Sequence, residues 1–185
     1  TVREARWLEL NGCDAIIAQG FEAGGHRGSF LTADMATQVG TFALVPQVVD
    51  AVRVPVIAAG GIADARGIVA ALALGASAVQ IGTAFAVTEE GDADIAFKRV
   101  LADAKPEDIV EFMSVAGLPA RAVRTPWLTT YLKYLPKLSA AAHKKPRCTL
   151  KFDCLIQCGL RDGVAKIGQF CIDTQLAAAV RGDVA

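Results

Sequence analysis

The chain has 185 residues, with 19 Lys and Arg against 19 Asp and Glu and no formal net charge. Hydrophobic residues make up 53% and charged residues 21%, which excludes a disordered polyelectrolyte and allows one domain with a real core. Zero net charge gives no electrostatic reason to expect nucleic acid or an anionic membrane as partner. No apolar run is long enough to span a bilayer.

The opening TVREARW carries no basic-then-apolar leader, so no targeting peptide is expected and the cytoplasm is the expected location. The odd set of Cys13, Cys148, Cys154, Cys158 and Cys171 argues against a fully paired disulfide framework. None of them forms a CxxC, so buried reduced thiols are favoured over a zinc site and no metal is expected.

In chain order, Thr1 and Glu4 form a capping box for a helix over residues 2–11, ended by Gly12 at C′. The run CDAIIA (13–18) is a short strand, followed later by VPVIAA (54–59) and AVQI (78–81). Their nearly continuous apolarity predicts strands covered on both faces. Between the first two, a glycine-rich loop precedes a helix near residues 46–52, with Pro46 in its first turn. Between the second and third, Asp64 caps a helix that Gly75 stops, with Ile68, Ala71 and Leu72 on its inner face. Strand, helix and strand in so short a span make a βαβ crossover and a parallel sheet. Residues 1–104 therefore read as β/α units and 105–185 as a helical, loop-rich extension. A complete (β/α)₈ unit needs about 250 residues, so these units read as the end of a longer series.

Each strand runs into glycine or a small polar residue. The first leads into Gln19 and GFEAGGHRG, the second into Gly60 and Gly61, the third into Ile81, Gly82 and Thr83. Parallel folds bind ligands at the C-terminal ends of their strands, where glycine lets backbone N–H groups approach an anion. The ordered pair Gly60-Gly61 and Gly82-Thr83 thus predicts a phosphate grip, aided by the N-terminus of the Asp64-capped helix.

His26 follows Gly24 and Gly25 in the same loop. A neutral imidazole there suits proton transfer with a carbon acid; a loop histidine bonded to a backbone carbonyl is the equal alternative. His143 reads as structural or solvated, near a helix C-terminus. Glu22 and Arg27 are expected to pair at the rim, rather than Arg27 neutralising an anionic substrate. Gln19 and Gln80 are amides at strand ends that a planar heterocycle or a neighbouring backbone could satisfy.

These residues resemble the nitronate monooxygenase family, also called 2-nitropropane dioxygenases. The resemblance rests on AIIAQGFEAGGHRG (15–28), VPVIAAGGIAD (54–64) and AVQIGTAF (78–85), with LPARAVRTPW (118–127) and GQFC (168–171) in the tail. It implies the C-terminal part of a (β/α)₈ TIM barrel, entered after strand five, with the three runs as strands six to eight. It also implies non-covalent FMN, with Gly60, Gly61, Gly82 and Thr83 on the phosphate. Gln19, Gly24, Gly25, Gln80 and Ile81 would lie nearer its ribityl chain and ring. His26 becomes the catalytic base for neutral nitroalkanes. The implied reaction is oxidation of a small nitronate, such as propionate 3-nitronate, by dioxygen to a carbonyl compound and nitrite. Related flavin barrels that reduce enoyl thioesters share the first three segments and give the rival function. A fragment without catalysis, pairing through an open sheet edge into a homo-oligomer, is the non-enzymatic rival.

Overall fold

The capping chemistry at the start of the chain produces the expected helix, α1 over Val2–Leu10. The Glu4 N–H reaches the Thr1 hydroxyl, and Gly12 takes φ +87° just past the helix end. The structure is a computed structural model and describes residues 1–32, 34–114 and 118–142. His143 and the cysteines at 148, 154, 158 and 171 lie outside the described residues, as does GQFC.

Three parallel strands follow: β1 (Ile16–Gln19), then, beyond the two-residue β2 (Gly25–His26), β3 (Val56–Ala59) and β4 (Ala78–Gln80). Their order is β1-β3-β4, so each strand pairs with the next βα unit, as a βαβ series requires. The register aligns Ile17, Ile57 and Ala78 in one row and Gln19, Ala59 and Gln80 in another. Ile16, Ala18, Val56 and Ala58 face the other way. They form the core with Ala5 of α1 and with Leu44, Val45 and Val48 of α2 (Thr41–Val49).

Burial on both strand faces is only partial in this unit. Ile17 is 52% exposed and Ala78 and Gln80 are exposed, whereas Ala59 on the same face is buried, so the described residues cover the helix-facing side more fully than the other. Alternating burial arises because β1 packs on α1 and α2 from one side, whatever the apolarity of the run.

Helix α2 differs from the expectation of a start at Pro46. It starts at Thr41, and Pro46 lies in its interior. Pro46 removes the N–H that would bond the Phe42 carbonyl; Phe42 is exposed, so water can meet that group. Helix α3 (Ala65–Ala73) is capped by Asp64, and Gly75 follows it at φ +95°. Its inner face is set by Ala71, whereas Leu72, expected inward, is exposed.

The chain divides into two compact units, Thr1–Phe85 and Ala86–Ala185, earlier than the change of composition near residue 105. The short α4 (Thr83–Ala86) lies at that division. In the second unit, α5 (Ile95–Ala102) is capped by Asp94. An antiparallel pair, β5 (Ile109–Met113) and β6 (Pro119–Val123), comes next, where sequence reading saw only helix and loop. Pro119 sits at the first position of its strand, one of the places where a sheet accepts proline. Helix α6 (Pro126–Ala142) lays Leu128 and Tyr131 on Val110, Phe112 and Ala122. The Tyr131 hydroxyl donates to the Met113 carbonyl at 2.7 Å, and burial pushes its pKa up to about 12. Among the described residues, no helix is long and apolar enough to cross a membrane.

Candidate functional site

The loop that leaves β1 is built around a buried cation. Arg27 is only 4% exposed, so it is not the rim residue that sequence reasoning expected. Its Nη1 donates to the carbonyls of Gly20 at 3.1 Å and Ala23 at 2.7 Å, and its Nη2 donates to that of Phe21. The guanidinium carbon also lies 5.3 Å from the centre of the Phe21 ring. One side chain therefore gathers the carbonyls of 20, 21 and 23 into a fixed curl.

The outer end of that curl is fastened to α2. Glu22 Oε2 accepts the Thr41 N–H at 2.8 Å and lies 2.9 Å from the Thr41 hydroxyl. Its carboxylate thus serves the N-terminus of a helix whose cap, Gly40, has no side chain. The same hydroxyl is 2.8 Å from the Gly60 carbonyl, tying in the end of β3. Gly20 N–H to Ala59 and Phe21 N–H to Val39 complete the attachment.

These bonds lay residues 20–24 across the ends of the neighbouring strands. Gly60 and Gly61 take φ of +102° and +69°, a conformation that favours glycine. A Cβ on Gly60 would meet Ala23 N at 2.8 Å, and one on Gly61 would meet Glu22 Cβ at 3.2 Å. A Cβ on Gly24 would lie 3.9 Å from Thr83 Oγ1, so the β1 and β4 loops converge. A Cβ on Gly25 or Gly82 would enter open space. Gly24, Gly25, Gly61, Gly82 and Thr83 are all exposed on this face.

The expected help from the N-terminus of α3 is already in use. Asp64 Oδ1 accepts from the N–H groups of Arg66 at 3.0 Å and Gly67 at 3.1 Å. The Arg66 guanidinium beside it holds the Asp64 carboxyl below its usual range. Any anion at this face therefore depends on loop amides more than on that helix end.

His26 is half-buried in β2, directly after Gly25 at φ +77°. Gln19 ends β1 and uses both ends of its amide on the same loop: Nε2 to the His26 carbonyl and Oε1 to the Gly28 N–H. Gln80 is exposed at the end of β4, and Ile81, after it, is half-buried. Among the described residues, no group of three His, Cys, Asp or Glu side chains could hold a metal ion.

Sequence reasoning missed two supports. Thr41 carried no motif, and its link to Glu22 spans 19 residues. Glu4 appeared only as a capping residue, yet it is 2% exposed and reaches the far side of the His26 loop. Its Oε1 accepts the N–H groups of Phe30 at 2.7 Å and Leu31 at 3.0 Å. Burial would raise its pKa, but bonds from the Thr1 hydroxyl and from the Leu31 and Phe30 N–H groups hold it down, at about 2. The folded value lies below the ordinary 4.5, so this stabilisation is complete above pH 4.5 and is lost as pH falls toward 2. Glu4→Gln should cost about 1–2 kcal/mol at pH 7 in urea unfolding, with the gap from wild type closing in acid. A gap independent of pH would remove the ionic part of this role.

The chain is similar to known proteins in sequence and fold. The family model described as nitronate monooxygenase matches residues 1–181. A protein of Staphylococcus saprophyticus and one of Staphylococcus haemolyticus, each named probable nitronate monooxygenase, are 45% identical over 136 residues. Those alignments cover 72% of this chain and 38% of each relative, so the chain spans well under half of their length. Among solved structures, nitroalkane oxidase from Streptomyces ansochromogenes is 41% identical, with a TM-score of 0.65 over 72% of this chain and 39% of that one. FabK from Thermotoga maritima is 38% identical, with a TM-score of 0.63 over 78% of this chain and 46% of that one.

Proposed function

Because this chain belongs to the nitronate monooxygenase family, we propose that it supplies the C-terminal part of a (β/α)₈ barrel that oxidises small nitronates with FMN and dioxygen. The observation that carries this reading is the convergence of glycine-rich loops from three adjacent parallel strands on one exposed face. Gly82 and Gly25 leave space that a Cβ would fill, and Gly60 and Gly61 turn through positive φ, so the cradle suits a group bound by backbone amides. On this fit, Gly60, Gly61, Gly82 and Thr83 would hold the FMN phosphate. Gly24, Gly25, Gln80 and Ile81 would flank the rest of the cofactor. FMN supplies the electron chemistry of the oxidation.

The chain's own residues bind, orient and move a proton. His26 Nδ1 or Nε2 takes the proton from the carbon next to the nitro group of a neutral nitroalkane. A nitronate arrives already deprotonated and needs no such step. Arg27, Glu22 and Thr41 keep the loop amides aimed at the same face. The name of the Streptomyces relative, nitroalkane oxidase, supports an oxidative reading. The likeness to FabK supports one alternative, FMN-dependent reduction of an enoyl thioester on the same barrel.

The full-length protein separates the two. Oxygen uptake with nitrite release from propionate 3-nitronate is the expected result. Fast NADH oxidation with a crotonyl thioester and no nitrite would replace this reading with the alternative.

A further inference from the structure

Gly24 and Gly25 precede His26 and add no side-chain restraint of their own to the backbone. Besides the short strand β2 that carries His26, a further hold comes from the C-terminal side. Gln19 Nε2 donates to the His26 carbonyl at 3.0 Å, and Gln19 Oε1 accepts the Gly28 N–H at 2.6 Å. A side-chain amide used in this way offers the loop the donor and acceptor that a neighbouring strand would offer. Between the two bonds, Arg27 is buried and anchored on the carbonyls of Gly20, Phe21 and Ala23. The peptide groups on both sides of Arg27 are therefore held by one residue at the tip of β1.

We infer that Gln19 is a positioning residue for His26: its amide adds two bonds to the hold on the backbone that carries the imidazole. The amide retains a second N–H and a second lone pair, so the clamp and a ligand contact are compatible. The inference rests on the reading of His26 as the base for neutral nitroalkanes. Under that reading, the clamp matters to the proton-transfer step and little to a substrate that arrives deprotonated. A base displaced by a fraction of a bond length loses rate steeply, whereas binding of the anion does not depend on it.

The test uses the full-length holoenzyme with Gln19→Met and Gln19→Glu. Two quantities are read: hydrogen exchange of the segment containing the Gly28 amide, and kcat and KM for nitroethane against preformed ethyl nitronate. In Gln19→Met, exchange at Gly28 should accelerate at least about tenfold, and kcat for nitroethane should fall by about tenfold or more. The loss for nitroethane should exceed that for the nitronate by about threefold or more, any lost cofactor contact being common to both. Glutamate keeps the acceptor for Gly28 and loses the donor to His26, so it should fall between the two. Unchanged exchange in an active Gln19→Met enzyme would overturn the positioning role. So would equal losses on both substrates, which would make Gln19 a cofactor contact only. A wild-type enzyme inactive on both substrates would instead sink the functional reading from which the inference starts.

Discussion

Gly20→Ala is expected to cost more than about 3 kcal/mol and to leave little folded protein, because the new methyl group has nowhere to go. A Cβ at this position would stand 1.9 Å from the Thr41 hydroxyl oxygen, 2.5 Å from Thr41 N and 2.6 Å from Thr41 Cα. The hydroxyl could rotate away, but the backbone of Thr41 cannot. It opens helix α2, whose Leu44, Val45 and Val48 are core residues. On the other side, Gly20 is held by its own N–H bond to the Ala59 carbonyl at 2.9 Å. Relief of the clash therefore breaks either the helix docking or the loop. Gly12→Ala makes a useful contrast: its φ of +87° disfavours alanine, but nothing lies within 4 Å, so about 1 kcal/mol is expected. Urea unfolding of the full-length protein measures both. A Gly20→Ala variant within 1 kcal/mol of wild type would show that the β1 loop does not press on α2 as described.

Local chemistry made part of this architecture legible in the sequence. Thr1 with Glu4, Asp64 and Gly75 act within one or two helical turns, so their residue types announced the ends of α1 and α3. The three strands were legible because short β-branched runs separated by one helix leave few alternatives to a parallel sheet. Helix α2 was misplaced because Pro46 suits a first turn, whereas packing of Leu44, Val45 and Val48 outweighs its missing N–H. The β5–β6 pair was missed because Pro119 reads as a breaker unless its position in the strand is known.

The candidate site was legible as a set of glycines and a histidine, but not as a mechanism of support. Arg27 and Glu22 looked like a surface pair. In the fold Arg27 is buried and gathers three carbonyls, and Glu22 also caps a helix 19 residues away. Where a long polar side chain goes is a tertiary outcome, and residue type alone does not fix it. Glu4 illustrates the same point, since its reach to Phe30 and Leu31 crosses 26 and 27 residues.

Gly82 offers the cleanest separation of fold from ligand. Substitution at Gly60 or Gly61 disturbs the fold itself, because both take positive φ and a side chain would press on Ala23 or Glu22. Gly82 has neither problem, as a Cβ there meets nothing within 4 Å. Gly82→Ala should therefore fold like wild type. If the amides of Gly82 and Thr83 close on a phosphate, the added methyl group stands between that backbone and the anion. Loss of one or two charge-assisted bonds of this kind corresponds to about 1.5–3 kcal/mol each, or tenfold or more in affinity. Riboflavin, which lacks the phosphate, should be indifferent to the change. The decisive measurement is the dissociation constant of FMN and of riboflavin for full-length wild type and Gly82→Ala, alongside their urea unfolding. A fall of tenfold or more for FMN, with riboflavin affinity and stability unchanged, is the expected result. Equal FMN affinity in the two proteins would contradict a phosphate grip at these loops.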